Sequence, residues 1–311
     1  MTRSRQFIQL LIDTFYRHPV SALRKYARFG GWLNYLSMLK GAGAMKRASG
    51  RLSPVRSYAD GYPIYFLTGK NHLYQTLFCI QSLAKFTSCR FRFILVDDGS
   101  FDTRIIKRIE LQLPNSELFK KADIEKKLEE LLPEHTFPNL NHKRKIYPHI
   151  KKLTDIHTLP GEKWKLVLDS DMLFWKEPVA IINWLKDAHM PIYMQDCQNS
   201  YGYSKTIMES LCGTNIPDLI NVGVIGLNSN TIDWAKLDAW TGSMESAEGS
   251  SYYLEQALTA MLINENASLV LPSDEYIVNP AATAVTIPQG ILHHYVDLSK
   301  QVYFKQAWKT V

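Results

Sequence analysis

The chain has 311 residues, 46% of them hydrophobic and 12% aromatic, with 36 Lys and Arg against 30 Asp and Glu. This composition can bury one large core or two smaller ones, and it excludes collagenous, low-complexity and wholly disordered chains. The net charge of +6 is unevenly spread: residues 1–57 hold 11 basic residues and one acid, Asp13, and stand at +10, while the remainder stands at −4.

Within that N-terminal segment, Phe7, Ile8, Leu10, Leu11, Phe15, Leu23, Tyr26 and Ala27 recur at helical spacing among Arg3, Arg5, Arg17, Arg24, Lys25 and Arg28. A basic amphipathic helix with aromatics suits an anionic membrane surface, or else an arm packed on protein. No nucleic acid is expected, because the basic patch comes with no recognisable reading element. Gly41 to Ser57, with its small residues, Gly50 and Pro54, reads as a linker. The expected division is therefore an arm and linker over 1–57 and a main domain over 58–311.

After the linker, strands and helices alternate. Pro63 to Leu67 is a strand, His72 to Lys85 a helix with Leu73, Leu77, Ile80 and Ala84 on one face, and Phe91 to Val96 the next strand. This is the start of a βαβα series and predicts an α/β fold with a mostly parallel, right-handed sheet flanked by helices. The pattern then predicts a charged helix over Asn115 to Leu132, a polar loop over Phe137 to Tyr147 and a helix from about Pro148. A strand at Lys165 to Leu168 follows. Beyond it come a helix near Val179 to Lys186, strands at Ile192 to Met194 and Val222 to Leu227, a helix at Tyr252 to Ile263 and a strand at Ser268 to Leu271.

The chemistry starts where Lys165 to Leu168 ends, at Asp169-Ser170-Asp171. Residues i and i+2 of an extended segment point the same way, so the two carboxylates can share one hard cation, Mg²⁺ or Mn²⁺, which keeps positions for the oxygens of a diphosphate. Acidic pairs at this spacing arise about three times by chance in such a chain. What distinguishes this pair is its place at the C-terminal end of an interior strand, where open α/β sheets bind ligands. Thr68-Gly69 and Asp97-Asp98-Gly99 follow two other strands of the same sheet. Their ends share its edge, so small residues, a carboxylate for ribose hydroxyls and a metal for phosphates can converge on a nucleotide.

The segments VDDGSFD (Val96 to Asp102), LVLDSDMLF (Leu166 to Phe174), NVGVIGLN (Asn221 to Asn228) and LEQALTAML (Leu254 to Leu262), in that order, resemble nucleotide-sugar-dependent glycosyltransferases of the GT-A fold. The opening IYFLTGKNHLYQTLFCIQSL (Ile64 to Leu83) and the order of later motifs are similar to glycosyltransferase family eight and its relatives, while VDDGS is also familiar from family two. The resemblance covers Tyr62 to Trp308. It implies a third metal ligand, a histidine after a late apolar strand, where Ile291-Leu292-His293-His294-Tyr295 stands; His294 is preferred over His293 from the look of the His-Tyr pair. The usual HxxGxxKPW ending is replaced by HHYVDLSKQVYFKQAW, leaving Lys300 or Lys305 as the C-terminal lysine for the diphosphate. Lys152 resembles a donor-binding cation at a helix position where relatives often carry Arg.

The implied reaction is glycosyl transfer from a nucleoside diphosphate sugar, with a UDP-sugar favoured, to a glycan or lipid-linked acceptor. A cation held by Asp169, Asp171 and His294 then stabilises charge on the leaving diphosphate. Asp196 and Glu255 are candidates for base or for sugar-hydroxyl recognition, and Gln256 and Asn221 for sugar contacts, with Gly223 allowing close backbone approach. Ser170 belongs to the same donor-facing turn. Family-eight likeness implies retention at the anomeric carbon and family-two likeness inversion; retention is carried forward. Two rivals are a nucleotidyltransferase, whose glycine-rich loop TGKNHLY does not supply, and a non-catalytic sugar-nucleotide or glycan binder. The four cysteines, Cys79, Cys89, Cys197 and Cys212, show no CxxC spacing and read as buried thiols in a reducing compartment. With no apolar stretch of about 18 residues and no cleavable leader pattern, the expected location is cytoplasmic, at most peripheral on the inner face of a membrane.

Overall fold

The computed structural model describes residues 26–263 and 267–311. The helix expected over the first 25 residues lies outside these.

In chain order the elements are α1 (Trp32–Ala48), β1 (Tyr62–Thr68), α2 (Leu73–Phe86), β2 (Phe91–Asp97), α3 (Thr103–Gln112), β3 (Glu117–Phe119), α4 (Lys121–Leu131), α5 (Pro138–Ile146) and α6 (Lys151–His157). Then come β4 (Trp164–Leu168), β5 (Met172–Phe174), α7 (Val179–Lys186), β6 (Ile192–Gln195), α8 (Lys205–Cys212), β7 (Ile220–Asn228), α9 (Trp234–Glu248) and α10 (Leu254–Leu262). The chain ends with β8 (Leu269–Leu271), β9 (Tyr276–Val278), α11 (Ala282–Thr286), β10 (Leu292–His294) and α12 (Lys300–Lys305).

The large sheet has the order β3-β2-β1-β4-β7-β6-β8, and β5-β10-β9 form a small second sheet. Every neighbouring pair in the large sheet is parallel except those made by β7, which runs antiparallel to β4 and β6. The apolar runs are explained by two covered faces. Tyr65, Ile94, Val96 and Val167 join the core under α4, α5, α6, α9 and α10, while Ile64, Phe66, Phe93, Leu95, Leu166 and Leu168 join the core under α2, α3 and α7. Each large side chain so buried contributes roughly 1.5–3 kcal/mol. Lys165 is the exception inside β4: it is buried, its Nζ donates to the carbonyls of Ile156 (2.9 Å) and Leu159 (2.5 Å), and burial pulls its pKa down to about 8. It thereby closes the C-terminal end of α6, whose last carbonyls lack intrahelical partners.

Four expectations are corrected, three on secondary structure and one on the burial of the cysteines. The charged helix over Asn115 to Leu132 is split, because Asn115 adopts φ 64° and turns the chain so that Glu117–Phe119 extends the ladder beside β2 before α4 begins. The loop over Phe137 to Tyr147 is helical as α5: Pro138 sits in its first turn and Leu140 is buried, and Lys143, Arg144 and Lys145 find carboxylate partners on other segments. The linker expected from Gly41 is helical as far as Ala48. There α1 packs on α12 so closely that a Cβ on Gly41 would overlap the Phe304 carbonyl. Among the cysteines only Cys79 is buried; Cys89 and Cys212 are intermediate, Cys197 is exposed, and all four are free. No helix of the described residues is long and apolar enough to cross a membrane.

Candidate active site

The pairing directions decide where the site forms. The C-terminal ends of β1, β2, β4 and β6 share one edge of the sheet, and the antiparallel β7 starts there, so Asn221 lies beside both the turn after β4 and the end of β6. In the small sheet His294 pairs with Met172, which sets it next to Asp171. Backbone hydrogen bonds stitch the Asp-Ser-Asp turn on both sides: Asp169 N donates to Gly223 O (2.8 Å) and Tyr295 N to Asp171 O (2.9 Å).

Each aspartate has one oxygen held by a lysine and the other facing the imidazole. Lys152 Nζ donates to Asp169 Oδ1 at 3.0 Å, and Lys300 Nζ donates to Asp171 Oδ2. Asp169 Oδ2 and Asp171 Oδ1 lie 3.6 and 3.3 Å from His294 Nε2. One ligand atom from each of Asp169, Asp171 and His294 falls within 4.8 Å of the others. Two carboxylate oxygens and an imidazole nitrogen fit Mn²⁺ or Mg²⁺.

The outer contacts support the same assignment. Asn221 Nδ2 donates to Asp196 Oδ2 (3.0 Å), so its Oδ1 is the end that accepts from Gly223 N and from His294 Nδ1, both at 2.9 Å. Nδ1 therefore carries the proton and Nε2 is left with its lone pair toward the carboxylates, able to coordinate a cation. The imidazole packs against β7 at Gly223, where a Cβ would come within 2.5 Å of both the ring and Met172 Cε. His293 points elsewhere: its Nε2 pairs with Gln289 O (2.7 Å), its Nδ1 with Tyr295 Oη (3.1 Å), and burial pulls its pKa down to about 4.

The site is strongly charged and largely buried. Burial works against the charge of Lys152, but Asp169 and Glu255 (3.5 Å) outweigh it and hold the ammonium above the ordinary lysine range. Burial pushes Glu255 up to about 7, with Lys152 opposing and Asp169 adding to the rise. Burial would also raise Asp171, yet Lys300 and His294 hold it well below the usual carboxylate range. Asp196 accepts from Cys197 N (2.7 Å), from Asn221 Nδ2 and from Gln256 Nε2 (3.2 Å), and Gln256 also donates to Ile220 O (2.7 Å).

These groups line a cleft of about 420 Å³, within the range of a small-molecule site. It gathers Lys152, Asp169, Asp171, Asp196, Asn221, Glu255, Gln256, His294 and Lys300. Thr68, Gly69, Asp97, Asp98 and Ser170 lie along the sheet edge outside its lining, in contact with neighbouring residues. Thr68 Oγ1 bonds Thr76 Oγ1 (2.7 Å), which bonds Ser170 Oγ (2.9 Å) and so braces the Asp-Ser-Asp turn. Asp97 Oδ1 accepts from the N–H groups of Gly99, Ser100 and Phe101, and its Oδ2 from Lys121 N. Asp98 Oδ1 accepts from Ser100 N and Oγ, and the Asp98 carboxylate fills the space a Cβ on Gly69 would take. Lys305 donates to Asn34 and lines a separate hollow beside α1, so Lys300 is the C-terminal lysine of the site. The sequence reading missed Arg28, Tyr147, His149 and Tyr252, which also line the cleft; the His149 and Tyr252 rings meet edge-on at 5.0 Å. Only the Tyr252-Tyr253 pair just before α10 offered a signal.

No family model and no curated protein matches the chain. Solved structures do. The apo form of mouse xyloside xylosyltransferase 1 superposes with a TM-score of 0.51 at 11% identity, over 77% of this chain and 97% of that one. Galactosyltransferase LgtC, in complex with donor and acceptor sugar analogues, superposes with a TM-score of 0.51 at 15% identity, over 80% of this chain and 96% of that one. The fold is GT-A. On this GT-A frame the aspartates occupy the edge of the sheet where strand C-termini leave room for a ligand, and the roles of the side chains rest on the geometry above.

Proposed function

We propose that the protein transfers a sugar from a nucleoside diphosphate sugar, a UDP-sugar, to a glycan or lipid-linked acceptor, with Mn²⁺ or Mg²⁺ held by Asp169, Asp171 and His294 and with retention at the anomeric carbon. The observation that carries this reading is the convergence of the three ligand atoms at the sheet edge of a GT-A fold. Apart from the Arg28–Asp297 pair, the cleft sets four carboxyl groups against two lysines, so a divalent cation brings its charge close to balance.

Breaking the anomeric C–O bond leaves negative charge on the departing diphosphate. A bound divalent cation supplies neutralisation of that charge. Lys300, 28% exposed and on a flexible stem, is free to donate to a phosphate oxygen, whereas Lys152 is locked between Asp169, Glu255 and the Val222 carbonyl. Asp196, Asn221 and Gln256 form a preorganised polar wall for sugar hydroxyls. Glu255, with its pKa near 7, holds or releases a proton at neutral pH. Retention follows the family-eight resemblance, in which the leaving phosphate takes the acceptor proton. The basic residues over 1–57 support an acceptor presented at an anionic membrane surface.

The test is thermal melting with UDP, GDP, ADP and CDP, each with and without Mn²⁺, together with turnover of UDP-sugars. A rise in Tm with UDP that needs the metal is expected, and Asp171→Asn should abolish both the rise and the turnover in a folded protein. A metal-independent rise, or turnover retained by the variant, would reject the metal assignment.

A further inference from the structure

Helix α1 carries large apolar side chains toward water. Its inward side presents Met38, Gly41 and Met45 to the body of the protein, yet Trp32, Leu33, Leu36 and Leu39 are 58%, 65%, 44% and 46% exposed. They recur at i, i+1, i+4 and i+7, which places them on one outward face within two turns. Lys40, Lys46 and Arg47 continue that exposed side. No acidic residue occurs between Asp13 and Asp60, so the whole segment is cationic. Apolar surface with an aromatic at one end and only basic residues as charges along its own segment is complementary to an anionic bilayer: lipid phosphates answer the cations and the acyl boundary takes the apolar groups. The residues before α1 continue the composition, with Phe7, Ile8, Leu10, Leu11 and Phe15 among arginines.

We infer that the outward face of α1 docks on an anionic bilayer, with Trp32, Leu33, Leu36 and Leu39 at the boundary between headgroups and acyl chains and Lys40, Lys46 and Arg47 against lipid phosphates. Helix α1 adjoins the cleft through its start and its inward side. Arg28, just before α1, lines the cleft and pairs with Asp297 at 2.5 Å, and Asn34 bonds Gln301 (2.6 Å) on α12, the helix that carries Lys300 to Asp171. A bilayer on α1 thus lies on the helix whose preceding residue borders the cleft, and presents an acceptor with a lipid anchor; this second half rests on the transferase reading, the docking itself does not.

The test is flotation of the full chain with phosphatidylcholine vesicles and with vesicles holding about 30% phosphatidylglycerol, at low and high salt. The comparison is the Leu33→Gln/Leu36→Gln double variant, checked for an unchanged Tm and for an unchanged metal-dependent shift with UDP. Binding only to anionic vesicles, weakened by salt and at least about tenfold weaker in the variant, supports the inference. Equal binding by the variant, or no vesicle binding by the unsubstituted chain, overturns it. So does a dimer of the unsubstituted chain that the variant dissociates, since a second copy would then cover the face. Loss of the UDP shift with vesicle binding intact would count against the transferase reading and leave the docking standing.

Discussion

At the scale of single residues, Asn221 organises the site. Its amide reads three neighbours at once, donating to Asp196 and accepting from Gly223 N and His294 Nδ1. Asn221→Ala removes the acceptor that fixes the imidazole, and Mn²⁺ affinity should fall about 10–100-fold, as loss of outer-shell partners does elsewhere. A Mn²⁺ titration of the folded variant checks this; unchanged affinity would mean the ring is held by packing against Gly223 alone. Legibility at this scale was uneven for a physical reason. Asp169 and Asp171 could be read because both flank one residue at a strand end, and His294 because a resemblance supplied it. Asp97 and Asp98 have the same composition and a similar place, but one oxygen of each, Oδ1, accepts from N–H groups of their own turn. Nothing local distinguishes a carboxylate facing solvent from one closing a loop.

At the scale of elements, α5 shows how distant partners override local pattern. Its sequence is polar and ends in three consecutive basic residues, which favours the C-terminal end of a helix but offers little of an apolar stripe. The stabilising partners lie on α4, α6 and α9, and the most buried pair joins Arg144 to Asp155 through contacts of 2.5 and 2.9 Å. Asp155 is 1% exposed, so Arg144→Ala strands a buried carboxylate and should cost about 3–5 kcal/mol in urea denaturation. Adding Asp155→Ala should recover part of that loss; a double variant no more stable than the single one would show that the helix, not the charge, sets the cost. The strands were easier. β1, β2 and β4 are covered on both faces, so they appear as continuous apolar runs whatever their neighbours are.

At the scale of the whole molecule, α1 and α12 are one packing unit that reaches the cleft. Gly41 admits the Phe304 backbone, and Met45 joins Tyr295, Tyr303 and Ala307 in a third core cluster. Since Lys300 begins α12, the wedge made by Gly41→Val should act at a distance. The expected outcome is a stability loss of about 1–3 kcal/mol together with roughly tenfold weaker metal-dependent UDP binding. Calorimetry alongside a melt separates the two, and lost stability with full affinity would show that Lys300 does not need α1. By itself the sequence determined the α/β class, the covered central strands and the carboxylate pair, since these depend on periodicity and on neighbours along the chain. Only the tertiary structure placed His294 rather than His293 beside the two aspartates and Lys300 rather than Lys305 in the cleft, and made the segment after Gly41 helical as far as Ala48. Those outcomes depend on the antiparallel entry of β7, the pairing of β10 with β5 and the contact of α1 with α12, which join residues far apart in the chain and leave no local pattern.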